Sequence, residues 1–350
     1  MQLCRWVLKP IGIWHLIYGH FSQYDRLLSV ILIVTCLSTL CFVLIPSGLY
    51  TLLREKDINV KVKLFGPVGF CLTSTIKYCY LGARATSFGK CIHHVEDDWR
   101  AVRDEDHRKI MLNTASTGRK ITMLCALFLY TGGLAYHTIL PLSSTIKVNG
   151  SLIIRSLPYP GYDIFFDSEA SPAYEIVFCI HCLYALVTYN ITTAACSLAS
   201  IFVTHACGQV QILTTHLNNL VNGKRNDDNT TVEKRLRVIT RHHVRVLRFT
   251  ADVEEVLREI CLMELVAATL IICFLEYYCM MYSKIDSAAY AVNWYDLPGH
   301  KALNLVMIIT ISHYPPKLTA GKFFDLSLNT FSTVLKTSVV YFNLLRTVTE

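Results

Sequence analysis

Few residues in this chain are spaced for chemistry. Cys179, His181 and Cys182 put two thiols and an imidazole within one helical turn, residue types that bind zinc. They lie inside an apolar run with no further ligands at useful spacing, so packing is expected there and no metal. Glu96, Asp97 and Asp98 read as a solvated acidic face or as part of a vestibule for cations. His93 with His94 and His242 with His243 read as surface pairs. Asp325 and Lys336 are ionisable residues in an apolar stretch, eleven positions apart. That is about three helical turns, which places them on one face, and ionisable groups inside a membrane span are functional candidates. In the plainer reading Asp325 sits at an interface while Lys336 snorkels or pairs with a neighbouring helix. No phosphate-binding loop, nucleophile elbow or paired-carboxylate pattern stands in an enzyme context. Hence no catalytic residue, enzyme activity or cofactor is expected.

The elements that must position these residues are membrane helices. Of 350 residues, 53% are apolar and 17% charged, with a mean hydropathy of +0.38. Soluble domains carry about 25% charged residues, and a span needs about 20 apolar ones. Spans are predicted near 27–53, 64–83, 121–141, 176–203, 260–282 and 323–345. A short helix over 302–312 is split from the last span by His313-Tyr314-Pro315-Pro316. Lys77, near the end of the second span, is expected to snorkel. The first run begins only at Leu27 and suits an anchor better than a cleaved leader. Most of the 14 cysteines fall in apolar runs and the 142–172 loop has none, so no disulfide framework is expected. Arg235 to Glu259 alternates apolar and charged positions as an amphipathic helix does, either lying against the membrane or packed between subunits.

Basic residues set the orientation. The 1–26 leader holds Arg5, Lys9 and Arg26, and the loop before the fifth span is rich in arginine, so both are predicted cytoplasmic. The 142–172 loop then faces outward and carries a glycosylation sequon at Asn149. The charge is +7, but the basic residues sit between apolar runs and form no nucleic-acid-binding module.

Trp294-Tyr295-Asp296-Leu297-Pro298, Lys317-Leu318-Thr319-Ala320-Gly321-Lys322-Phe323 and Leu335-Lys336-Thr337-Ser338-Val339-Val340-Tyr341-Phe342 resemble the closing segments of insect odorant receptors, those of ants, bees and wasps above all. His94-Val95-Glu96-Asp97-Asp98-Trp99 and Glu259-Ile260-Cys261 fit the same family. The resemblance implies an all-α, polytopic transmembrane helical bundle in the plasma membrane, with the N-terminus inside and the C-terminus outside. It implies a non-selective cation channel, a heterotetramer of an odour-tuning subunit with the family's co-receptor, opened by volatile or cuticular small molecules. Lacking the co-receptor's long second cytoplasmic loop, the chain resembles a tuning subunit.

The same resemblance implies that the terminal span lines the pore with Asp325 and Lys336. Leu344 and Val348 would form an apolar gate with Thr347 beside them, where exclusion of water blocks ions. Small apolar odorants would lie in the outer halves of the bundle, among Phe65, Phe70, Tyr130, Tyr136, His137, Tyr174, Phe178, His181 and Tyr184. The family has seven spans; between Met281 and Trp294 there is no room for the sixth. About six membrane helices are therefore expected, with the last span inverted and channel activity compromised. A G-protein-coupled-type chemoreceptor would show an acidic-Arg-aromatic triplet closing the third span, which is absent. A gustatory receptor is a closer alternative, which the Trp294 segment disfavours.

Overall fold

The computed structural model describes residues 2–19, 23–139, 141, 146–148, 152–154, 157–162, 171–220, 232–291, 310, 319–320, 324–325, 327, 329–334, 336–337, 340 and 343. Its elements among these residues are α1 (Gln2–Leu8), α2 (Ile13–Tyr18), α3 (Gln23–Leu49), α4 (Ile58–Ala83), α5 (Ala85–Ala101), α6 (Glu105–Leu134), α7 (Ala173–Asn218) and α8 (Val232–Tyr290). α3 and α6 each end in a π-helical turn, Tyr50–Arg54 and Ala135–Ile139. Two short antiparallel ribbons stand beside the helices among the described residues. β1 (Ile146–Val148) pairs with β2 (Leu152–Ile154), Lys147 opposite Ile153, and β3 (Thr319–Ala320) pairs with β4 (Phe324–Asp325).

Local chemistry explains the helices. Asp104 caps α6 by accepting from the Asp106 amide at 2.9 Å, and Glu105 and Asp106 add negative charge to its first turn. Inside the apolar helices, hydroxyls turn back onto their own backbone: Thr39 donates to Thr35 O at 2.8 Å, Thr131 to Leu127 O at 2.7 Å and Thr188 to Tyr184 O at 2.8 Å. A buried donor without water must find such an acceptor. Among the described residues, three helices are long and apolar enough to cross a membrane: Gln23–Arg54, Glu105–Ile139 and Ala173–Asn218. Their outward faces are apolar too. Val30, Ile31 and Val34 on α3, and Met123, Leu124, Leu127 and Phe128 on α6, are all at least half exposed. Such a surface is stable against lipid rather than water.

The chain forms two compact units, one of residues 1–50 and 71–263 and one of residues 51–70 and 264–350. In the first, α6 and α7 cross where each presents a glycine to the other's threonine. A Cβ on Gly118 would lie 2.7 Å from Thr204 Oγ1, and one on Gly208 would lie 2.8 Å from Thr114 Oγ1. Its core continues through Leu8, Phe88, Phe202 and Phe249, each at most 1% exposed. Phe202 stacks on Phe88 and meets the edge of Phe249, linking α5, α7 and α8. Burying each such ring away from water contributes about 1.5–3 kcal/mol. The second unit holds the start of α4, the far part of α8 and the β3–β4 pair.

Three readings change. Lys77 is buried, at 2% exposed, and does not snorkel, because its turn of α4 packs inside the first unit. The predicted amphipathic segment and the fifth span are one continuous helix, α8, which runs on to Tyr290. Asp325 stands in β4 opposite Thr319, ahead of the helical residues that resume at Asn329, so it does not share a helix face with Lys336. Pairing with Thr319–Ala320 holds its backbone extended. Apart from Thr310, the 302–312 segment lies outside the described residues.

Candidate functional site

Three pieces of the first unit meet in a cluster of tyrosines and histidines. The π turn that ends α6 supplies Tyr136 and His137; the wider turn rotates both off the register of the preceding helix. α7 supplies His181, Tyr184 and Tyr189 from one side, at helical spacing. Between them the chain folds back through Tyr159-Pro160-Gly161-Tyr162. Gly161 has φ +109°, and a Cβ there would stand 2.4 Å from Pro46 O, so only glycine lets this turn lie on α3. The tight turn drives both tyrosines inward until each is 1% exposed.

The hydrogen bonds define donors and acceptors. His137 Nδ1 lies 3.2 Å from Gly133 O, which can only accept, so Nδ1 carries the proton. His137 Nε2 then accepts from the Tyr159 hydroxyl at 3.3 Å. The Tyr189 hydroxyl, 2.7 Å from Nδ1, is a second acceptor of the same N–H and keeps its own proton to donate. On the other side Tyr162 donates to Phe42 O at 3.2 Å and accepts from His181 Nε2 at 2.9 Å. That leaves His181 Nδ1 as a buried acceptor with no partner among the described residues. Tyr184 donates to Cys71 Sγ at 2.7 Å. The rings meet at their edges: Tyr159 lies 5.5 Å from Tyr184 and 5.4 Å from His181. Among the described residues, no carboxylate, lysine or arginine belongs to the cluster. Such a place suits a neutral molecule that offers an apolar body and one hydroxyl or carbonyl.

Of the residues singled out from sequence, Tyr136, His137, His181 and Tyr184 come together here. Tyr130 reaches the cluster through Tyr189, ring to ring at 5.7 Å. Tyr174 and Phe178 stack on one another at 6.0 Å near the start of α7. Phe65 and Phe70 belong to the second unit. Tyr159, Tyr162, Tyr189 and Cys71 were missed. The Pro-Gly turn signal between Tyr159 and Tyr162 was the available clue. His181 is engaged by Tyr162, Cys179 is exposed and Cys182 half-buried. Lys336 is an exposed helical residue. Leu344, Thr347, Val348 and Asn149 lie outside the described residues.

A second polar cluster occupies the α5 end. Asp98, 8% exposed, accepts from His205 Nε2 at 3.0 Å and pairs with Arg245 at 2.5 Å and with His94 at 3.6 Å. Burial alone would raise its pKa; the His205 hydrogen bond and the Arg245 charge outweigh that and hold the carboxyl below its usual range. Burial pushes the His94 imidazole down, against the pull of Asp98. His94 stacks on Phe249 at 4.8 Å and is half-buried, so it is not a surface residue. Asp98 is neither part of a solvated face nor free to line a vestibule: it ties α5 to α7 and α8.

The sequence profile of the 7tm Odorant receptor family matches residues 58–287. Among curated relatives, Odorant receptor 10 of Aedes albopictus is 25% identical over 236 residues, 56% of this chain and 61% of its own. Odorant receptor 13a of Drosophila melanogaster is 24% identical over 244 residues, 55% and 58% of the two chains. The chain thus spans about three fifths of the length of the curated relatives it matches. The fold is similar to that of the insect olfactory receptor OR5 from Machilis hrabei, with TM-score 0.57, 16% identity and 98% of each chain covered. It is similar also to the same receptor in complex with eugenol, with TM-score 0.60, 15% identity and 99% of each chain covered. With the profile running from α4 through most of α8, the chain belongs to the insect odorant receptor family.

Proposed function

We propose that this protein is an odorant-binding receptor subunit of the plasma membrane and that the His137–His181 cluster is where a small volatile binds. The observation that carries this reading is the pair of unused hydrogen-bonding groups inside an aromatic shell, the Tyr189 hydroxyl proton and the bare His181 Nδ1. A buried polar atom without a partner needs an explanation, and a ligand hydroxyl supplies one. Dispersion against the surrounding rings provides most of the affinity, and the single polar contact fixes orientation. Eugenol, the molecule bound in the related Machilis hrabei structure, has the required chemistry and is a sensible first probe.

The finer reading follows the family. The subunit joins the co-receptor in a heterotetrameric cation channel, N-terminus inside, and the terminal helix walls the pore with Lys336 on it and Leu344, Thr347 and Val348 at the gate. Because α8 continues to Tyr290 with Trp294 close behind, this chain binds odorant yet needs a further crossing before it conducts. Whole-cell recording with the co-receptor tests this. Odour-evoked cation current is expected from a version with a span inserted after Met281, and not from the native chain. Current of equal size from both would remove the missing-span argument. No current from either, alongside intact ligand binding, would leave a binding subunit without a channel role.

A further inference from the structure

We propose that the groove between α1, α5, α6 and α7 holds one acyl chain of an anionic membrane phospholipid, its phosphate drawn to Arg119. The cavity is about 860 Å³, within the range of roughly 300–1,000 Å³ that small-molecule sites occupy. It lies at the α5 end of the first unit, and none of the cluster residues around His137 lines it.

Most hydroxyls on its floor are already engaged; Ser197 Oγ, buried and without a partner among the described residues, is the exception. Thr114, Thr122 and Thr204 donate to the carbonyls one turn back, Ile110, Gly118 and Ser200, at 3.2, 3.0 and 2.6 Å. Those threonine hydroxyls are therefore already engaged. His205 is engaged by Asp98. Gly118 keeps the floor shallow where α6 and α7 touch, and Met111 and Ile201 continue it. A polar odorant would lose hydrogen bonds to water here and regain few; a hydrocarbon chain loses nothing.

The polar groups stand at the mouth. Arg100 is paired with Glu96 at 3.6 Å and with Asp97 at 3.7 Å, which leaves it little charge to offer. Arg119 makes no ion pair among the described residues and is exposed, at the point where the charged part of α6 gives way to its uncharged run from Ile121. Trp6, 78% exposed, and Trp99 flank the same opening. Tryptophan with a cation beside it, at the end of a span, marks the headgroup level of a bilayer. The chain lies along the threonine floor and the phosphate meets the guanidinium, so the occupant is a lipid rather than a soluble anion.

Native mass spectrometry of the purified 350-residue chain, released from micelles holding equal palmitoyl-oleoyl phosphatidylglycerol and phosphatidylcholine, tests the assignment. The wild type is expected to keep one phosphatidylglycerol, at least fivefold in excess over phosphatidylcholine. Arg119→Gln, a surface change, is expected to bring that ratio near one; Lys120→Gln, one position on and outside the groove lining, to leave it unchanged. Ala115→Phe, which fills the groove, is expected to remove both adducts. Equal retention of the two lipids by the wild type, or a preference that survives Arg119→Gln, would overturn the proposal. So would a mass of two chains in place of lipid adducts, which would give the groove to a second copy.

Discussion

Two buried histidines on α7 make opposite uses of the same side chain. His205 and His181 stand 24 residues apart on one helix, about 36 Å along its axis. His205 belongs to an ionic group in which a carboxylate meets two imidazoles and a guanidinium from three helices. His181 belongs to a neutral group of hydroxyls and rings, and one of its nitrogens is left over. The first arrangement joins helices and leaves nothing for a ligand. The second, between α3, α6 and α7, leaves hydrogen-bonding groups over, and on the proposed reading these accept one. On that reading binding capacity follows from incomplete satisfaction, and rigidity from complete satisfaction.

The contrast predicts a ranked set of effects. The largest is expected for Asp98→Ala, which strands Arg245 and His205 without their carboxylate. Because Arg245 is 45% exposed, the loss should fall near the lower range for breaking a buried pair, about 2–3 kcal/mol. It would be read as a fall in the unfolding midpoint in detergent, with volatile affinity in the surviving folded fraction unchanged. Next comes His137→Phe, which removes both anchors of the Tyr159 and Tyr189 hydroxyls. Affinity for a phenol or alcohol is expected to drop about tenfold, near 1.4 kcal/mol, while the unfolding midpoint moves little; a titration of intrinsic fluorescence checks it. An equal loss for an odorant without polar atoms would show that packing, not hydrogen bonding, was lost.

A smaller and more local effect is expected for Gly133→Ala. The new Cβ would stand 2.0 Å from the Tyr189 ring, and the tyrosine's free end must swing away from His137. A two- to threefold affinity loss is predicted, matched by Tyr189→Phe and no larger when both changes are combined in one chain, which double-mutant titrations resolve. The smallest effect is on the acid side. Asp98 has a carboxyl pKa held below its unfolded value near 3.8, so its contribution is fully present above that pH and fades as pH falls through the lower, folded value. Thermal melts between pH 5 and pH 3 should slope less in Asp98→Asn than in the wild type; parallel slopes would remove Asp98 from the ionic account.

How much of this was legible beforehand depended on the kind of interaction. Long apolar runs bounded by charge predict helices over the 27–53 and 121–141 segments; α3 with its π turn contains the first, and α6 with its π turn covers the second as far as Ile139. Placing Tyr136, His137, His181 and Tyr184 together needed only helix direction and the order of spans. Tyr159 and Tyr162 were hidden because a loop's inward fold depends on a tertiary contact, Gly161 against Pro46, that no local period encodes. Asp98 was read as acidic surface because its partners lie 107 and 147 positions away, at His205 and Arg245. The extended backbone at Asp325 depends on its pairing with Thr319, which the apolar run around it concealed.

Photolabelling tests the central claim most directly. A diazirine analogue of a volatile alcohol or phenol that binds the purified receptor would be irradiated in the complex and its adducts mapped by mass spectrometry. The account predicts label on peptides carrying Tyr159 and Tyr162 and on those spanning His181 to Tyr189, competed away by the parent volatile. Competable label confined to other parts of the chain, with none on those peptides, would contradict it.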